Sequence, residues 1–210
     1  MVDIDFRPLS ALALSAKSST LPETADVHLW ELPKRRMLTL RLDPSNADLV
    51  SKAEAALGMA LPTKPNTLTA DGNDGFVLWT SPDEFMIDLP FQGPEGPDAA
   101  LMKALLVALA GEFALVVDVT DQMAGIGLGG VQWREIWSKI CAQDVHESVF
   151  KPGQCKQTVA AKSNILFYCP DAAGDQVESL RIYTRRSFSI YLFTRMEDAA
   201  LEYGLSLQPL

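Results

Sequence analysis

Arginines near the end of the chain form the cluster best suited to chemistry. Arg181, Arg185 and Arg186 lie close together in a protein whose formal net charge is −9. Guanidinium groups bind carboxylates and phosphates, so the cluster predicts an anion-binding or docking site. Ser187 follows at the expected start of the last helix, where its side chain would cap the helix and backbone N–H groups would favour an anion. The arginine pair is equally typical of solvated side chains or of an internal ion pair.

A glycine-rich run, residues 125–130, formally satisfies the dinucleotide-binding pattern G-x-G-x-x-G. A dinucleotide site would place these glycines in a loop after a strand, with an acid about 20 residues farther on. Here the glycines alternate with Ile126 and Leu128, which is typical of a strand, and the acids near that distance are Asp144 and Glu147. The run therefore predicts a closely packed strand rather than a cofactor loop.

Two pairs of carboxylates lie close in sequence, Asp118 with Asp121 and Asp83 with Glu84. General acid–base catalysis needs two carboxyl groups that converge on one pocket, and neighbours on a strand do not establish this. Turns and strand ends are the expected places for these residues.

Histidine and cysteine usage argues against a metal centre. His28 and His146 are the only histidines, and Cys141, Cys155 and Cys169 contain no C-x-x-C pair. This spacing fits neither a zinc site nor a disulfide framework, so we predict buried, reduced thiols. The sequence thus predicts no catalytic, cofactor-binding or metal-ligating residue.

Composition limits the class of protein. A chain of 210 residues with 48% hydrophobic and 21% charged residues can bury a substantial core. Its acidic balance argues against binding to nucleic acid or anionic membranes. No apolar run approaches the roughly 18–20 residues needed to span a bilayer, and the N-terminal stretch carries aspartates where a signal peptide would carry lysine or arginine. We therefore expect a cytoplasmic protein.

Strand and helix patterns occur twice in the same order. Residues 26–112 predict two strands in a hairpin around Pro33, a helix, three strands and a second helix. Residues 113–206 repeat this order, and Gly111 and Gly204, which close equivalent helices, are offset by about 90 residues. We predict an α+β fold of two pseudo-symmetric ββαβββα halves packed as one domain.

Residues 1–25 have few periodic signals and predict an extended N-terminal arm. Apolar residues such as Phe6 and Leu9 make the arm too hydrophobic to remain in solvent, so it would lie on this protein or on a partner. Phe6, Leu9, Arg185 and Arg186 are therefore the candidate partner-docking residues.

Several ordered segments carry a family resemblance that extends from about Arg7 to Gly204. They are LGMALPTKPNT (57–67), VLWTSPDEF (77–85), VVDVT (116–120), FKPGQCKQT (150–158), RRSFSIY (185–191) and DAALEYG (198–204). Together they resemble the gamma subunit of bacterial heterotetrameric sarcosine oxidase. That family in turn resembles the folate-binding domains of glycine-cleavage aminomethyltransferases, which consist of two pseudo-symmetric α+β halves.

The resemblance implies a role. The oxidase has four different subunits and oxidatively demethylates sarcosine to glycine. FAD, FMN, NAD and tetrahydrofolate are assigned to its alpha and beta subunits, and zinc to its delta subunit. The gamma subunit is implied to be structural and non-catalytic, to bind no cofactor, and to pack chiefly against the alpha subunit.

Two alternatives remain open at this point. Related N-methylglutamate dehydrogenases carry a subunit similar to this family, so the resemblance specifies the type of subunit more closely than the substrate of the assembly. A stand-alone folate-binding protein with the aminomethyltransferase fold is the other alternative, and it would be an enzyme in its own right.

Overall fold

The computed structural model describes residues 26–170 and 179–208. Within these ranges the chain forms eleven strands and four α-helices. They are β1 (Val27–Glu31), β2 (Arg35–Arg41), α1 (Ala47–Leu57), β3 (Leu68–Ala70), β4 (Phe76–Ser81), β5 (Glu84–Pro90), α2 (Pro97–Ala108), β6 (Leu115–Asp118), β7 (Met123–Gly129), α3 (Trp133–Ile140), β8 (Cys155–Ala160), β9 (Ser163–Tyr168), β10 (Ser179–Arg185), α4 (Ser189–Ala200) and β11 (Leu205–Gln208).

The order ββαβββα occurs twice, as predicted. The first half runs from β1 to α2 and the second from β6 to α4. The α+β class is confirmed, and β11 is a strand that the sequence patterns did not predict. None of the helices in the described ranges is long and apolar enough to cross a membrane.

The two halves exchange their first strands. One sheet has the order β11-β1-β7-β10-β9-β8 and the other has the order β3-β4-β5-β2-β6. β1, from the first half, pairs antiparallel with β7 of the second half, and β6 pairs antiparallel with β2 of the first half. We call these the six-stranded and the five-stranded sheet.

The predicted hairpin of β1 and β2 is therefore wrong. The chain passes through Pro33 from one sheet into the other, and the Leu32 N–H donates to the carbonyl of Gly125 at 3.0 Å instead of to β2. β2 instead pairs with β5, beginning with Arg35 opposite Pro90. The connection is short enough for a hairpin, but β1 pairs with β7 and β2 pairs with β5 and β6.

The sheets pack face to face, with helices on the outer sides. One buried cluster joins the five-stranded sheet to α1 and α2 through residues such as Leu49 and Leu105. A second joins the six-stranded sheet to α3 and α4, with Trp137 and Met196 fully buried. A third cluster fills the space between the two sheets. It contains buried residues of both sheets, including Met37, Phe76, Leu78, Leu166, Tyr168 and Tyr183.

The glycine-rich run forms β7, as predicted, with β1 on one side and β10 on the other. Gly127 is opposite Trp30, and a Cβ atom at Gly127 would lie 1.9 Å from Trp30 Cε2. The missing side chain lets the indole lie directly on the strand. The glycines serve close packing, and a strand paired on both sides cannot form a phosphate-binding loop.

Candidate functional site

The predicted arginine pair lies on the surface beside the last helix. Arg185 ends β10 and Arg186 begins a 3₁₀ turn, and both residues are exposed. Arg185 Nη1 lies 3.3 Å from Gln122 Oε1. The expected N-cap at Ser187 is wrong, because the 3₁₀ turn comes before the helix and α4 begins only at Ser189.

The structure separates Arg181 from this pair. The Arg181 side chain lies between the sheets and is 18% exposed, with Nη2 2.5 Å from Asp74 Oδ1. The other candidate docking residues, Phe6 and Leu9, lie outside the described residues.

Arg181 belongs to a polar cluster between the two sheets, which we call the junction cluster. Its members are largely buried except for Asp74, whose side chain is 47% exposed. The first half contributes Arg35 from β2, Asp74 from the turn before β4, and Asp88 from β5, while the second half contributes Tyr168 from β9 and Arg181 and Tyr183 from β10.

Asp88 lies at the centre of the junction cluster and is completely buried. Its Oδ1 atom accepts a hydrogen bond from Arg35 Nε at 2.5 Å. Its Oδ2 atom accepts from the hydroxyls of Tyr168 and Tyr183, the latter at 2.7 Å. Both carboxylate oxygens are thus bound to donors, and two of the three donors come from the other half.

Asp74 bridges the two arginines of the cluster. Its Oδ2 atom lies 2.5 Å from Arg35 Nη1 and its Oδ1 atom 2.5 Å from Arg181 Nη2. Arg181 also lies over the Phe76 ring, 5.2 Å from its centroid. Two guanidinium groups and two carboxylates give a balanced set of charges, which is the condition for burying ions at acceptable cost.

The protonation of the junction cluster suits a structural role. Burial and the neighbouring Asp88 carboxylate raise the pKa of both Tyr168 and Tyr183 well above the usual tyrosine range. Burial disfavours the charged form of Arg35, but the attraction of Asp88 and Tyr183 together with the hydrogen bond to Asp88 leaves the pKa of Arg35 raised. The tyrosines stay protonated donors, and the arginine stays charged. The two tyrosines and the arginine therefore supply neither a general base nor a nucleophile at neutral pH.

A second ionic cluster lies on the other face of β2, toward the helices. Arg36 Nε lies 3.0 Å from Asp98 Oδ2, and Arg36 Nη1 lies 2.8 Å from Asp118 Oδ2. Asp98 is buried in the first turn of α2. Asp121 pairs separately with Lys34 at 3.0 Å. Asp118 and Asp121 thus form ion pairs with different basic side chains and do not converge as a catalytic pair.

A cavity of about 260 Å³ lies beside the junction cluster. Arg35 and Arg181 contribute to its wall, together with apolar groups of Trp30, Leu32 and Pro33. Arg181 Nη1 is buried and has no hydrogen-bond acceptor among the described residues. The arrangement can place a cationic donor next to an apolar wall.

The three cysteines are buried, reduced thiols, as predicted. Burial raises the pKa of Cys155 to about 12 and also raises the pKa of Cys141. Such thiols carry little thiolate and are poor nucleophiles. No group of three or more His, Cys, Asp or Glu residues in ranges 26–170 and 179–208 is arranged to hold a metal ion.

Sequence patterns missed the junction cluster. The predicted hairpin places Arg35 in the turn that follows Pro33, whereas Arg35 lies in β2 and is 6% exposed. The usable signal is Asp88, a single acid within the apolar strand Phe85–Leu89, because a buried carboxylate requires a cation and hydrogen-bond donors. Which residues supply them depends on the pairing of distant strands.

The exchanged ββαβββα halves define the class of this protein, which has the fold of the aminomethyltransferases. It aligns with glycine cleavage system aminomethyltransferase T from Bartonella henselae with a TM-score of 0.59 at 12% identity, covering 87% of this chain and 48% of that one. At this identity the likeness concerns the fold alone.

The family is narrower than the fold class. Residues 41–202 match the sarcosine oxidase, gamma subunit family, and the chain belongs to that family. It is 28% identical over 197 residues to sarcosine oxidase subunit gamma from Corynebacterium sp. strain U-96, covering 94% of this chain and 90% of that protein. It is 29% identical over 178 residues to the Arthrobacter sp. protein of the same name, with coverages of 85% and 82%.

A solved structure agrees with these relatives. A chain of heterotetrameric sarcosine oxidase from Corynebacterium sp. U-96, in complex with pyrrole 2-carboxylate, aligns with a TM-score of 0.80 at 26% identity. The alignment covers 92% of this chain and 95% of that one. The resemblance found from the sequence motifs is confirmed.

Proposed function

We propose that this chain is the gamma subunit of a heterotetrameric sarcosine oxidase, a structural and non-catalytic component of an assembly that oxidatively demethylates sarcosine to glycine. One observation carries the proposal. The chain matches nearly the full length of a chain from heterotetrameric sarcosine oxidase, both in sequence and in backbone. Its partners would be the alpha, beta and delta subunits, chiefly alpha.

The internal chemistry of the chain supports a structural role. In the junction cluster the Asp88 carboxylate is bound by three donors, and in the second cluster Arg36 is bound by two carboxylates. Groups that are fully engaged with each other stabilise the fold rather than act on a substrate. We further propose that residues 26–112 and 113–206 act as one domain, which the strand exchange supports.

The cofactors of the assembly, FAD, FMN, NAD, tetrahydrofolate and zinc, would be held by other subunits. The residues of this chain do not fit a dinucleotide, because residues 125–129 lie within β7, between two paired strands. The buried cysteines do not fit a zinc site, because Cys141 follows α3, Cys155 begins β8 and Cys169 follows β9.

Arg185 and Arg186 would contribute to partner docking. They lie beside three exposed apolar side chains at the start of α4, Phe188, Ile190 and Tyr191. Arginine and aromatic residues are enriched in protein interfaces relative to the rest of the surface. Phe6 and Leu9 belong to the same proposal because of the apolar character of their segment.

Co-expression of the four subunits, with and without this chain, tests the proposal. We expect the assembly to oxidise sarcosine, the chain alone to be inactive, and its omission to lower the yield of assembled large subunit. N-methylglutamate as a competing substrate distinguishes the related dehydrogenase. Sarcosine oxidation or one-carbon transfer by the purified chain would contradict the structural role.

A second measurement addresses the folate-binding alternative, which the cavity beside Arg181 favours. The isolated chain is titrated with a reduced folate in a calorimeter, with Arg181→Met as the control. Tight stoichiometric binding that the substitution abolishes would support an independent folate-binding protein. Heat changes no larger than those of dilution support the structural subunit.

A further inference from the structure

The two sheets end differently at equivalent strands. β1 and β6 are the exchanged strands, and each pairs antiparallel with the second strand of the other half. β1 has a further neighbour, because β11 pairs parallel with it on its outer side. In the described ranges β6 has no strand on its outer side, and it forms one end of the five-stranded sheet.

Backbone hydrogen bonds show which groups of β6 face outward. The Val119 N–H donates to the Met37 carbonyl at 2.8 Å, as the Leu32 N–H donates to Gly125 on the equivalent strand. Because bonded and non-bonded pairs alternate in antiparallel sheets, Val116 and Asp118 direct their N–H and C=O groups away from β2. The corresponding residue of β1 is Leu29, and it lies beside Leu207 of β11.

The side chains of β6 are more exposed than those of β1, which pack beside β11. Leu29 is completely buried, whereas Val116 is half-buried and Leu115 is 50% exposed. Phe113, just before the strand, is 97% exposed. On the other sheet, Leu205 and Leu207 extend the core beyond β1. No described residue extends the core beyond β6 in the same way.

We propose that an extended segment of a partner subunit pairs with β6 and completes the five-stranded sheet, as β11 completes the other sheet. The segment would run parallel to β6 and place apolar side chains at alternate positions, beside Ala114 and Val116, as Leu205 and Leu207 lie beside Val27 and Leu29. The proposal rests on the proposed function, since the partner is another subunit of the oxidase.

The parallel pairing of β11 with β1 favours a segment of a different chain over a second copy of this one as the partner of β6. Two copies related by a two-fold axis would pair β6 with β6 in antiparallel orientation. The strand β11, in contrast, is parallel to β1. An exposed apolar edge of this kind is a hazard in an isolated protein, so coverage by a permanent partner also explains why it persists.

Hydrogen exchange of backbone amides tests the proposal residue by residue. In the isolated full-length chain the amides of Val116 and Asp118 should exchange fast, while the amide of Val117, bonded within the sheet, should be protected. In the assembled oxidase all three should be protected. Protection of Val116 and Asp118 in the isolated monomer would overturn the proposal in favour of residues 1–25. Protection that grows with protein concentration would overturn it in favour of a second copy.

Substitutions give an independent readout in co-purification with the other subunits. Val116→Pro removes an outward N–H that has no backbone acceptor in residues 26–170 and 179–208, so it should leave the fold of the isolated chain intact. We expect it to lower recovery of the partner about tenfold or more, which corresponds to the loss of about 1.4 kcal/mol. Phe113→Asp should act in the same direction. Val131→Asp, at an exposed apolar residue away from β6, is the matched control.

The outcomes separate the two proposals. Failure of the unmodified chain to co-purify with any oxidase subunit would count against the proposed function. Normal co-purification of the unmodified chain and of both variants would retain the proposed function and overturn strand addition. If Val116→Pro fails to fold, Phe113→Asp and the exchange pattern of the unmodified chain still decide.

Discussion

Arg35 and Arg36 are neighbours on β2 with nearly equal burial, 5% and 9% of their side chains being exposed. Arg35 lies on the face between the sheets, and its cluster includes tyrosines from the second half. Arg36 lies on the opposite face and holds α2 and β6 to their own sheet. Two adjacent arginines thus stabilise different contacts. One joins the sheets to each other, and the other joins the parts of one sheet.

The largest effect is expected from Asp88→Ala. This change leaves the buried Arg35 guanidinium with only the half-exposed Asp74 as a counter-ion and removes the acceptor of two tyrosine hydroxyls. Breaking a buried ion pair costs about 3–5 kcal/mol, so we expect a loss of this size in the free energy of unfolding, measured with urea. A loss below about 1 kcal/mol would show that solvent reaches the junction cluster.

Arg36→Ala should lower the free energy of unfolding by less than Asp88→Ala, and it should loosen a different part of the fold. Asp98 loses a charged donor, but Asp118 is 34% exposed and can be hydrated. We expect a loss of about 2 kcal/mol, the scale of hydrogen bonds to charged groups. Hydrogen exchange should accelerate in β6 and α2 while β9 and β10 remain protected. Asp88→Ala should give the opposite pattern, and identical patterns would contradict the comparison.

Tyr183→Phe tests one hydrogen bond of the junction cluster and should cost about 1.5 kcal/mol at neutral pH, the lower end for a charged acceptor, because Asp88 keeps its other two donors. It also changes the dependence of stability on pH. An unfolded tyrosine loses its proton near pH 10, whereas the pKa of folded Tyr183 is raised well above this value. Stability is therefore complete below about pH 10 and declines as the pH rises further, because only the unfolded chain releases the proton.

The matching measurement follows unfolding by circular dichroism between pH 7 and 11. The unmodified protein should lose stability steadily above pH 10, and the double variant Tyr168→Phe, Tyr183→Phe should lose less. An equal slope in both proteins would mean that the hydroxyls are accessible to solvent in the folded state.

The smallest effect is expected from Arg41→Ala at the far end of β2. Arg41 Nη2 lies 2.6 Å from Asp83 Oδ2, but both side chains are nearly half exposed. Exposed ion pairs contribute about 0–1 kcal/mol, so unfolding with urea should change little. The variant also serves as a control for the loss of an arginine from β2. A large effect would mean that the effects of Arg35 and Arg36 do not depend on where these side chains lie.

Local signals sufficed for the element order but not for the site. Asn46 and Gly58 delimit α1, as a capping side chain and as a left-handed residue with φ of 68°. The alternation of glycines predicted β7 correctly. In contrast, the destinations of β1 and β2 depend on strands far away in the chain, so the connection at Pro33 could be mistaken for a hairpin turn. The junction cluster depends on the same long-range pairing and was missed together with it.

The strand exchange also dictates the order in which a nascent chain can fold. β1 leaves the ribosome early, but its partner strand follows much later, since His28 pairs with Gly129. β2 likewise gains its outer neighbour only when Val117 has been made. Such contacts between distant segments are slow to form. The first half therefore remains incomplete during its own synthesis, and each half serves as part of the template on which the other folds.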